Sequence, residues 1–351
     1  MARSSAIVLS ILGRRLRARG AGCSLERWIR RQWEFPDPLA NARAGDIDLE
    51  VNTEPPPTAP ATDGEPWLTR LDGVTLSWER IGDRSWRITL PRGGVQLTLD
   101  ENGGRIRAWG MQVASDAGDE RDVFDGARGT DGRFRGSVPA ALHVAICEAL
   151  RATGLVPLHG AIIVRDGHAT ALVGPSGAGK STTLIRALDS GWLPLAEDFA
   201  WLDPVTRQVY GWDRAVRLTE EGLDSLPSSW RSAGWRTGAD GKRFLPFECC
   251  ARVRPASAEL MRLAVLHRDP RRRDSAWEPM APHDAVRALW ESAGVPLCQL
   301  NRADFSRQAP LLLDQLDVAR LVLGRGSIAC LRQFWTVTPS SRPGSGRLPY
   351  M

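Results

Sequence analysis

The residues with the most pronounced chemical spacing are Gly174-Pro175-Ser176-Gly177-Ala178-Gly179-Lys180-Ser181, which match the phosphate-loop pattern GxxxxGK[ST] in full. In such a loop the glycines let backbone N–H groups turn inward around a phosphate, and the following helix N-terminus adds partial positive charge. Lys180 is placed to reach the β- and γ-phosphates of a nucleotide, and the Ser181 hydroxyl to ligate Mg²⁺. The nucleotide-binding set expected from the pattern is Gly174 through Ser181 together with Thr182, and the expected cofactors are ATP and Mg²⁺. The choice of lysine is pointed. The chain writes its basic residues as 44 arginines and only two lysines, Lys180 and Lys242, and lysine is the compact point charge that arginine's planar fork does not reproduce.

A phosphate loop needs a strand before it and a helix after it. Ala169–Val173 reads as the strand, Ser181–Asp189 as the helix, and Gly191 as its stop. Upstream, strand Gly160–Arg165 meets strand His168–Val173 across Asp166-Gly167, a favoured two-residue hairpin turn. In that register paired residue numbers sum to 333, so His159 falls opposite Gly174. Downstream, Trp192–Ala196 reads as the next strand, followed at once by Glu197-Asp198. A strand–helix–strand unit runs its strands parallel, so the two acids emerge at the same sheet edge as the loop. An imidazole, two carboxylates and a nucleotide site with its metal therefore converge, a grouping suited to phosphoryl transfer. Geometry favours Asp198 as the base that accepts the proton of an attacking hydroxyl and Glu197 as the metal-side partner, with Ser181, Glu197 and Asp198 as the residues expected about the metal. The bland alternatives are an acidic turn after a strand and a hydrogen-bonded structural histidine at a sheet edge.

The stretch LHGAIIVRDGHATALVGPSGAGKSTTLIRALDSGWLPLAEDFAWLD resembles the catalytic core of the HPr kinase/phosphorylase family. Its pattern is a His-Gly pair, a hairpin, the phosphate loop, a helix ending in Gly and an acidic pair closing the next strand. The histidine precedes Lys180 by 21 residues and Asp198 follows it by 18, as in that family. The resemblance is specific over about 50 residues and weaker beyond them, where the chain is similar to shorter HPr-kinase-like proteins encoded with peptide-modifying enzymes, including kinases of lasso-peptide precursors. It implies an ATP- and Mg²⁺-dependent serine kinase in which Lys180 and Ser181 bind phosphate and metal, His159 is an active-site residue and Asp198 accepts the proton. Two departures stand out. Glu197-Asp198 replaces the family's Asp-Asp, and the later loop that docks the carrier protein and supports dephosphorylation is not found, which argues against carrier protein as acceptor. Gly241-Lys242-Arg243-Phe244 stands in its place, with a solvated basic turn as its plain reading.

The expected fold is α/β: an HPr-kinase-like phosphate-loop domain with a mixed sheet over residues 137–338, preceded by a smaller β-rich region. Residues 1–66 read as a basic helical extension and a proline-rich linker. The first 35 hold two short helices, the second capped by Ser24 with Leu25, Trp28, Ile29 and Trp33 on one face. Residues 67–136 alternate as a four-strand meander (Val74–Trp78, Trp86–Leu90, Val95–Leu99, Ile106–Ala108) with turns at Gly82-Asp83, Gly93-Gly94 and Gly103-Gly104, followed by an irregular loop over 115–136. Ala141–Thr153 reads as a helix, Arg262–His267 as a strand, Pro282–Ser292 and the region Leu311–Leu323 as helices, and 339–351 as a flexible tail.

Composition sets the remaining bounds. With 42% hydrophobic and 25% charged residues over 351 positions, the chain is ordinary globular material. Its six scattered cysteines have no CxxC spacing, which excludes a disulfide scaffold and a zinc ribbon. The apolar run Ala6–Leu12 is too short to span a bilayer, and a soluble, cytoplasmic protein is expected. The formal charge of +5 resides in residues 1–33, which hold eight arginines and one acid, while the rest sums to −2; no specific nucleic-acid partner is expected. The partner expected is a peptide or small-protein substrate, with a homo-oligomer compatible. A transporter ATPase is disfavoured because an LSGGQ-like signature is missing; a non-catalytic ATP-binding regulator and a small-molecule kinase stay open.

Overall fold

The computed structural model describes residues 6–20, 26, 29–30, 46–52, 54–55, 62, 66–71, 74–90, 93–110, 137–224, 226–238, 241–251, 253–294 and 299–324. The chain is α/β with mixed sheets. Among the described residues no helix is long and apolar enough to cross a membrane.

The first sheet has eight strands: β1 (Ile7–Ile11), β2 (Arg14–Arg19), β3 (Asp46–Asn52), β4 (Trp67–Leu71), β5 (Val74–Gly82), β6 (Ser85–Leu90), β7 (Gly93–Asp100) and β8 (Gly103–Trp109), in the order β1-β2-β3-β8-β7-β6-β5-β4. Helix α1 (Ser137–Ala152) lies across it, burying Leu142, Ala145, Ile146, Ala149 and Leu150 against Val95, Leu97 and Ile106. Each of those strand residues recurs at period two, which is what one covered sheet face requires.

Two expectations are corrected here. Residues 7–19 are a β-hairpin turned at Leu12-Gly13, both at positive φ (54° and 69°), and not a helix. The apolar residues Ile7, Leu9, Ile11, Leu16 and Ala18 recur at period two, alternating with exposed or part-exposed Val8, Arg15, Arg17 and Arg19 and with a buried serine, Ser10. Of the second expected helix, Glu26, Ile29 and Arg30 are helical, whereas Ser24, Leu25, Trp28 and Trp33 lie outside the described residues, as do 111–136 and 325–351. The meander has its four strands, but Gly93-Gly94 and Gly103-Gly104 sit inside strands, not in turns. Their glycines make room. A Cβ on Gly94 would stand 2.2 Å from the Trp109 ring, and one on Gly103 would stand 2.1 Å from the Asp46 carbonyl oxygen of the neighbouring strand.

The basic segment is neutralised by strand pairing. Parallel β2 and β3 place Arg15, Arg17 and Arg19 beside Asp46, Asp48 and Glu50, and β8 adds Arg105 beside Asp48 and Arg107 beside Glu50 on the other side. Arg107 Nε reaches Glu50 at 3.1 Å.

The second sheet is built from β9 (Val156–Arg165), β10 (His168–Val173), β11 (Leu193–Ala196), β12 (Phe199–Leu202), β13 (Gln208–Gly211), β17 (Ser257–Arg268), β18 (Ala276–Pro279) and β19 (Asp317–Leu323). Its order is β10-β9-β12-β13-β17-β19-β18, and a further β10–β17 pairing closes β10, β9, β12, β13 and β17 into a ring. A small third sheet joins β14 (Ala215–Leu218), β15 (Arg236–Thr237) and β16 (Arg243–Pro246). Helix α2 (Lys180–Asp189) follows β10; short helices α3 (Glu220–Asp224), α4 (Ser228–Arg231) and α5 (Phe247–Cys250) surround the small sheet, and α6 (Pro282–Ala293) and α7 (Gln299–Leu313) precede β19. The expected helix over Leu311–Leu323 is thus mostly wrong: only its first three residues, Leu311–Leu313, are helical. It ends at Leu313, and Val318-Ala319-Arg320-Leu321-Val322-Leu323 continues as a strand parallel to β17. A short apolar run suits a buried strand as well as a helix, and its flanking Gln315 and Asp317 were the turn signal.

Candidate active site

The loop, helix and hairpin stand as their residue types require. Asp166 and Gly167, both at positive φ, turn β9 into β10, and the register runs His168↔Arg165 to Val173↔Gly160, each pair summing to 333. Continued by one residue, it sets His159 against Gly174. Gly174, Gly177 and Gly179 all have positive φ (149°, 78° and 97°), and a Cβ on Gly174 would stand 2.8 Å from the Leu266 carbonyl oxygen. Gly179 in the left-handed region caps α2, whose chain then takes up the Thr183 N–H to Gly179 O bond at 2.8 Å. Pro175, Ser176 and Gly177 form an exposed crest, while Ala178 is buried beneath it and Thr182 is half-buried.

Lys180 is buried, and its Nζ donates to the carbonyl oxygens of Gly174 at 2.8 Å and Pro175 at 3.2 Å. Burial lowers its pKa from the ordinary lysine value, while the carboxylates of Asp198 and Glu197 act in the opposite sense. Both acids are therefore electrostatic neighbours of the lysine. Beside it, the Ser181 hydroxyl donates to Glu197 Oε1.

Strands β11 and β12 explain how the acids arrive there. Both pair with β9, antiparallel, β11 along Ile162–Val164 and β12 along Val156–His159, so they form one interrupted strand with Glu197-Asp198 at the break. Because β10 and β11 both oppose β9, they run parallel as expected, but with β9 between them. The Gly160 N–H donates to the Asp198 carbonyl oxygen at 2.9 Å, and Phe199 pairs with His159. Across that register His159 Nδ1 lies 3.4 Å from Asp198 Oδ1, with side chains 47% and 56% exposed. Glu197, only 5% exposed, points the other way into the protein. Desolvation, reinforced by the buried carboxylate of Asp213, pushes Glu197 up to about 8; the Ser181 hydrogen bond and the more distant Arg217 oppose the rise.

The expected residues are thus linked in one run: Lys180 beside Ser181, Ser181 on Glu197, Glu197 beside Asp198, and Asp198 on His159. Lys242 lies elsewhere, exposed in the turn between β15 and β16, where its carbonyl accepts the Gly238 N–H at 2.7 Å.

Two neighbours of the acids went unread in the sequence. Asp213 sits after β13, and its Oδ2 accepts the N–H groups of Glu197, Asp198 and Phe199 at 3.1, 2.7 and 2.6 Å. Burial raises its pKa, and those three donors oppose the rise. Arg254 Nη2 donates to the Leu195 carbonyl oxygen at 2.8 Å and to that of Asp213, with its guanidinium over the Phe247 ring at 4.7 Å. One faint signal was available. Gly211 closes an otherwise bulky strand, and a Cβ there would fall 1.8 Å from the Leu195 carbonyl oxygen; an isolated strand glycine marks a close backbone approach.

The donor set fits a hard divalent cation bound mainly by phosphate and water. Ser181 Oγ and Glu197 Oε1 are adjacent oxygens that could serve as ligands, and the described residues hold no group of three or more His, Cys, Asp or Glu able to cage a metal alone. Mg²⁺ bound with nucleotide needs only one or two protein oxygens. No protein-family model matches the chain, and no curated protein matches it in sequence.

Proposed function

We propose that the protein is an ATP- and Mg²⁺-dependent phosphotransferase with an HPr-kinase-like phosphate-loop domain, which transfers the γ-phosphate to a serine or other hydroxyl of a peptide or small protein. The reading is carried by one observation: the Asp198 carboxylate, 3.4 Å from the His159 imidazole, stands on the strand break whose other acid contacts Ser181 of the phosphate loop.

The roles follow from that placement. Backbone N–H groups of the loop and the Lys180 ammonium hold the β- and γ-phosphates, and Lys180 exchanges its two carbonyl partners for phosphate oxygens as it does so. Ser181 and Glu197 are the residues that hold the metal, which when bound supplies neutralisation of the phosphate charge. Asp198 takes the proton of the acceptor hydroxyl as its oxygen bonds to the γ-phosphorus and the bond to the β-phosphate oxygen breaks, releasing ADP. His159 orients the Asp198 carboxylate. The exposure of both side chains favours an extended acceptor over a small metabolite, since a small substrate is ordinarily enclosed. The acceptor class also follows from the sequence resemblance to kinases of ribosomal peptide precursors, lasso peptides among them.

The deciding experiment is incubation with γ-labelled ATP and Mg²⁺ in the presence of peptides encoded beside its gene, read by intact mass. The expected result is a gain of one phosphate on a hydroxyl side chain. Nucleotide binding with no transfer to any peptide would leave a nucleotide-binding regulator in its place.

A further inference from the structure

Three consecutive backbone N–H groups seldom point at one atom. In a regular strand they alternate sides. Here those of Glu197, Asp198 and Phe199 converge on the single oxygen Oδ2 of Asp213, at 3.1, 2.7 and 2.6 Å. The convergence coincides with the interruption between β11 and β12, where the two acids turn to opposite sides, Glu197 inward to Ser181 and Asp198 outward to His159. Asp213 itself is anchored. Its carbonyl and that of Leu195 both accept from Arg254 Nη2, its neighbour Trp212 donates to Phe199 O at 3.1 Å, and Gly211 gives the clearance that brings β13 against Leu195.

We propose that Asp213 is the positioning residue of the acid pair: its carboxylate oxygen fixes the backbone of Glu197–Phe199 so that one acid faces the phosphate loop and the other faces the acceptor. The proposal rests on the phosphotransferase reading for its catalytic consequence, while its structural content stands on the hydrogen bonds alone. Among the described residues the Asp213 carboxylate bonds only the Glu197, Asp198 and Phe199 amides and not the phosphate loop, so its removal is expected to act first on the orientation of the acids and less on phosphate binding.

Two substitutions separate position from charge. Asp213→Asn keeps a carbonyl oxygen at the same reach, whereas Asp213→Glu keeps the charge and displaces the oxygen by one methylene. A misplacement of about 1 Å is worth roughly 100-fold in rate, so Asp213→Glu and Asp213→Ala are expected to lower kcat by about that factor, with KM for ATP changed less than about threefold. Asp213→Asn is expected to retain kcat within about tenfold of the parent. In parallel, amide hydrogen exchange of the full chain is expected to show protection at Glu197–Phe199 lost in Asp213→Ala and kept in Asp213→Asn. An Asp213→Glu protein with parental kcat, or an Asn variant as impaired as Glu, overturns the proposal; so does unchanged protection of the three amides in Asp213→Ala. Should Asp213→Ala fail to fold, the Asn and Glu pair decides. If the parent protein transfers no phosphate at all, the phosphotransferase reading falls, and the exchange data on Asp213→Asn against Asp213→Glu still test the positioning.

Discussion

On the β2–β3–β8 ladder the arginines and acids stand part-exposed and meet opposite charges across neighbouring strands, whereas around the phosphate loop charged groups are drawn inward and crowd one another. Arg15, Arg17 and Arg19 run beside Asp46, Asp48 and Glu50, and these beside Arg105 and Arg107. Beside the second sheet, Lys180 lies buried among backbone carbonyls, and burial raises both Glu197 and Asp213, with Asp213 adding to the rise at Glu197 and Asp198 to that at Asp213. A structural surface balances charge locally and is indifferent to any one member. A binding site holds groups whose charge is completed only by what they bind, at a cost in stability. The contrast supports the proposed site on grounds independent of the glycine motif.

The largest effect expected is catalytic. On the proposed reading, Asp198→Asn retains nucleotide binding and lowers transfer by about 10³-fold, within the range for a lost general base; Lys180→Ala loses transfer and weakens nucleotide binding together. Equilibrium binding of a fluorescent ATP analogue beside a transfer assay reads both. Transfer at the parental rate by the Asn variant removes Asp198 as base. Next in size is a buried ion pair that joins the two regions. Arg14 on β2 reaches Asp203 after β12 at 3.2 Å, with both side chains 3% exposed, and also donates to Thr153 Oγ1 at 3.2 Å at the end of α1. Arg14→Ala removes the counter-charge of a buried carboxylate, which keeps the Val205 and Thr206 N–H groups, and is expected to lower unfolding stability by about 3 kcal/mol, read as a fall in the urea midpoint.

The loop, its strand and helix, the β9–β10 register and the placement of His159 were all legible, because each follows from local rules: a glycine pattern, a two-residue turn and a period of two. The acid pair was legible for the same reason, lying directly after a strand that must run parallel to the one before the loop, although β9 stands between the two. Asp213 was not. Nothing local marks a single aspartate after a Tyr-Gly-Trp run as the acceptor of amides some fifteen residues earlier, since that contact depends on β12 and β13 folding against each other. The N-terminal hairpin was misread because arginines spaced among apolar residues fit an amphipathic helix and an alternating strand alike. What settles it is the acidic strand Asp46–Asn52, a partner remote in sequence. Gly93-Gly94 was taken for a turn because the other use of a strand glycine, clearance for Trp109, is a tertiary matter.

A smaller effect probes the crowded charge directly. Glu197 titrates near 8 in the folded protein, pushed up first by burial and then by Asp213, against an ordinary value of 4.5. Between those values the folded chain retains a proton that the unfolded chain has released. Stability is therefore full below about 4.5 and falls as pH rises towards 8, and Asp213, raised by its own burial, contributes in the same direction. From pH 6 to pH 8 the loss expected from Glu197 is about 2 kcal/mol. Chemical denaturation at both pH values should show this slope in the parent and a shallower one in Glu197→Gln. Equal slopes would place the Glu197 carboxyl in contact with solvent and remove it from the buried group.

The smallest effect belongs to the balanced surface. Arg17 pairs with Asp46 and stands 3.9 Å from Asp48, with all three side chains between 34% and 45% exposed. Its loss leaves Asp46 with Arg15 at 3.6 Å, and Asp48 keeps Arg105 beside it on β8. Arg17→Ala is therefore expected to cost under about 1 kcal/mol, and less still at high salt, because exposed pairs are screened and their members replaceable. Arg17→Glu is a sharper probe, since it sets a third carboxylate against Asp46 and Asp48 and turns local attraction into repulsion. If Arg17→Ala instead costs as much as Arg14→Ala, the surface ladder carries stability of the same order as the buried pair. The distinction between charge that is balanced and charge that is held ready for a ligand then no longer separates the two sheets.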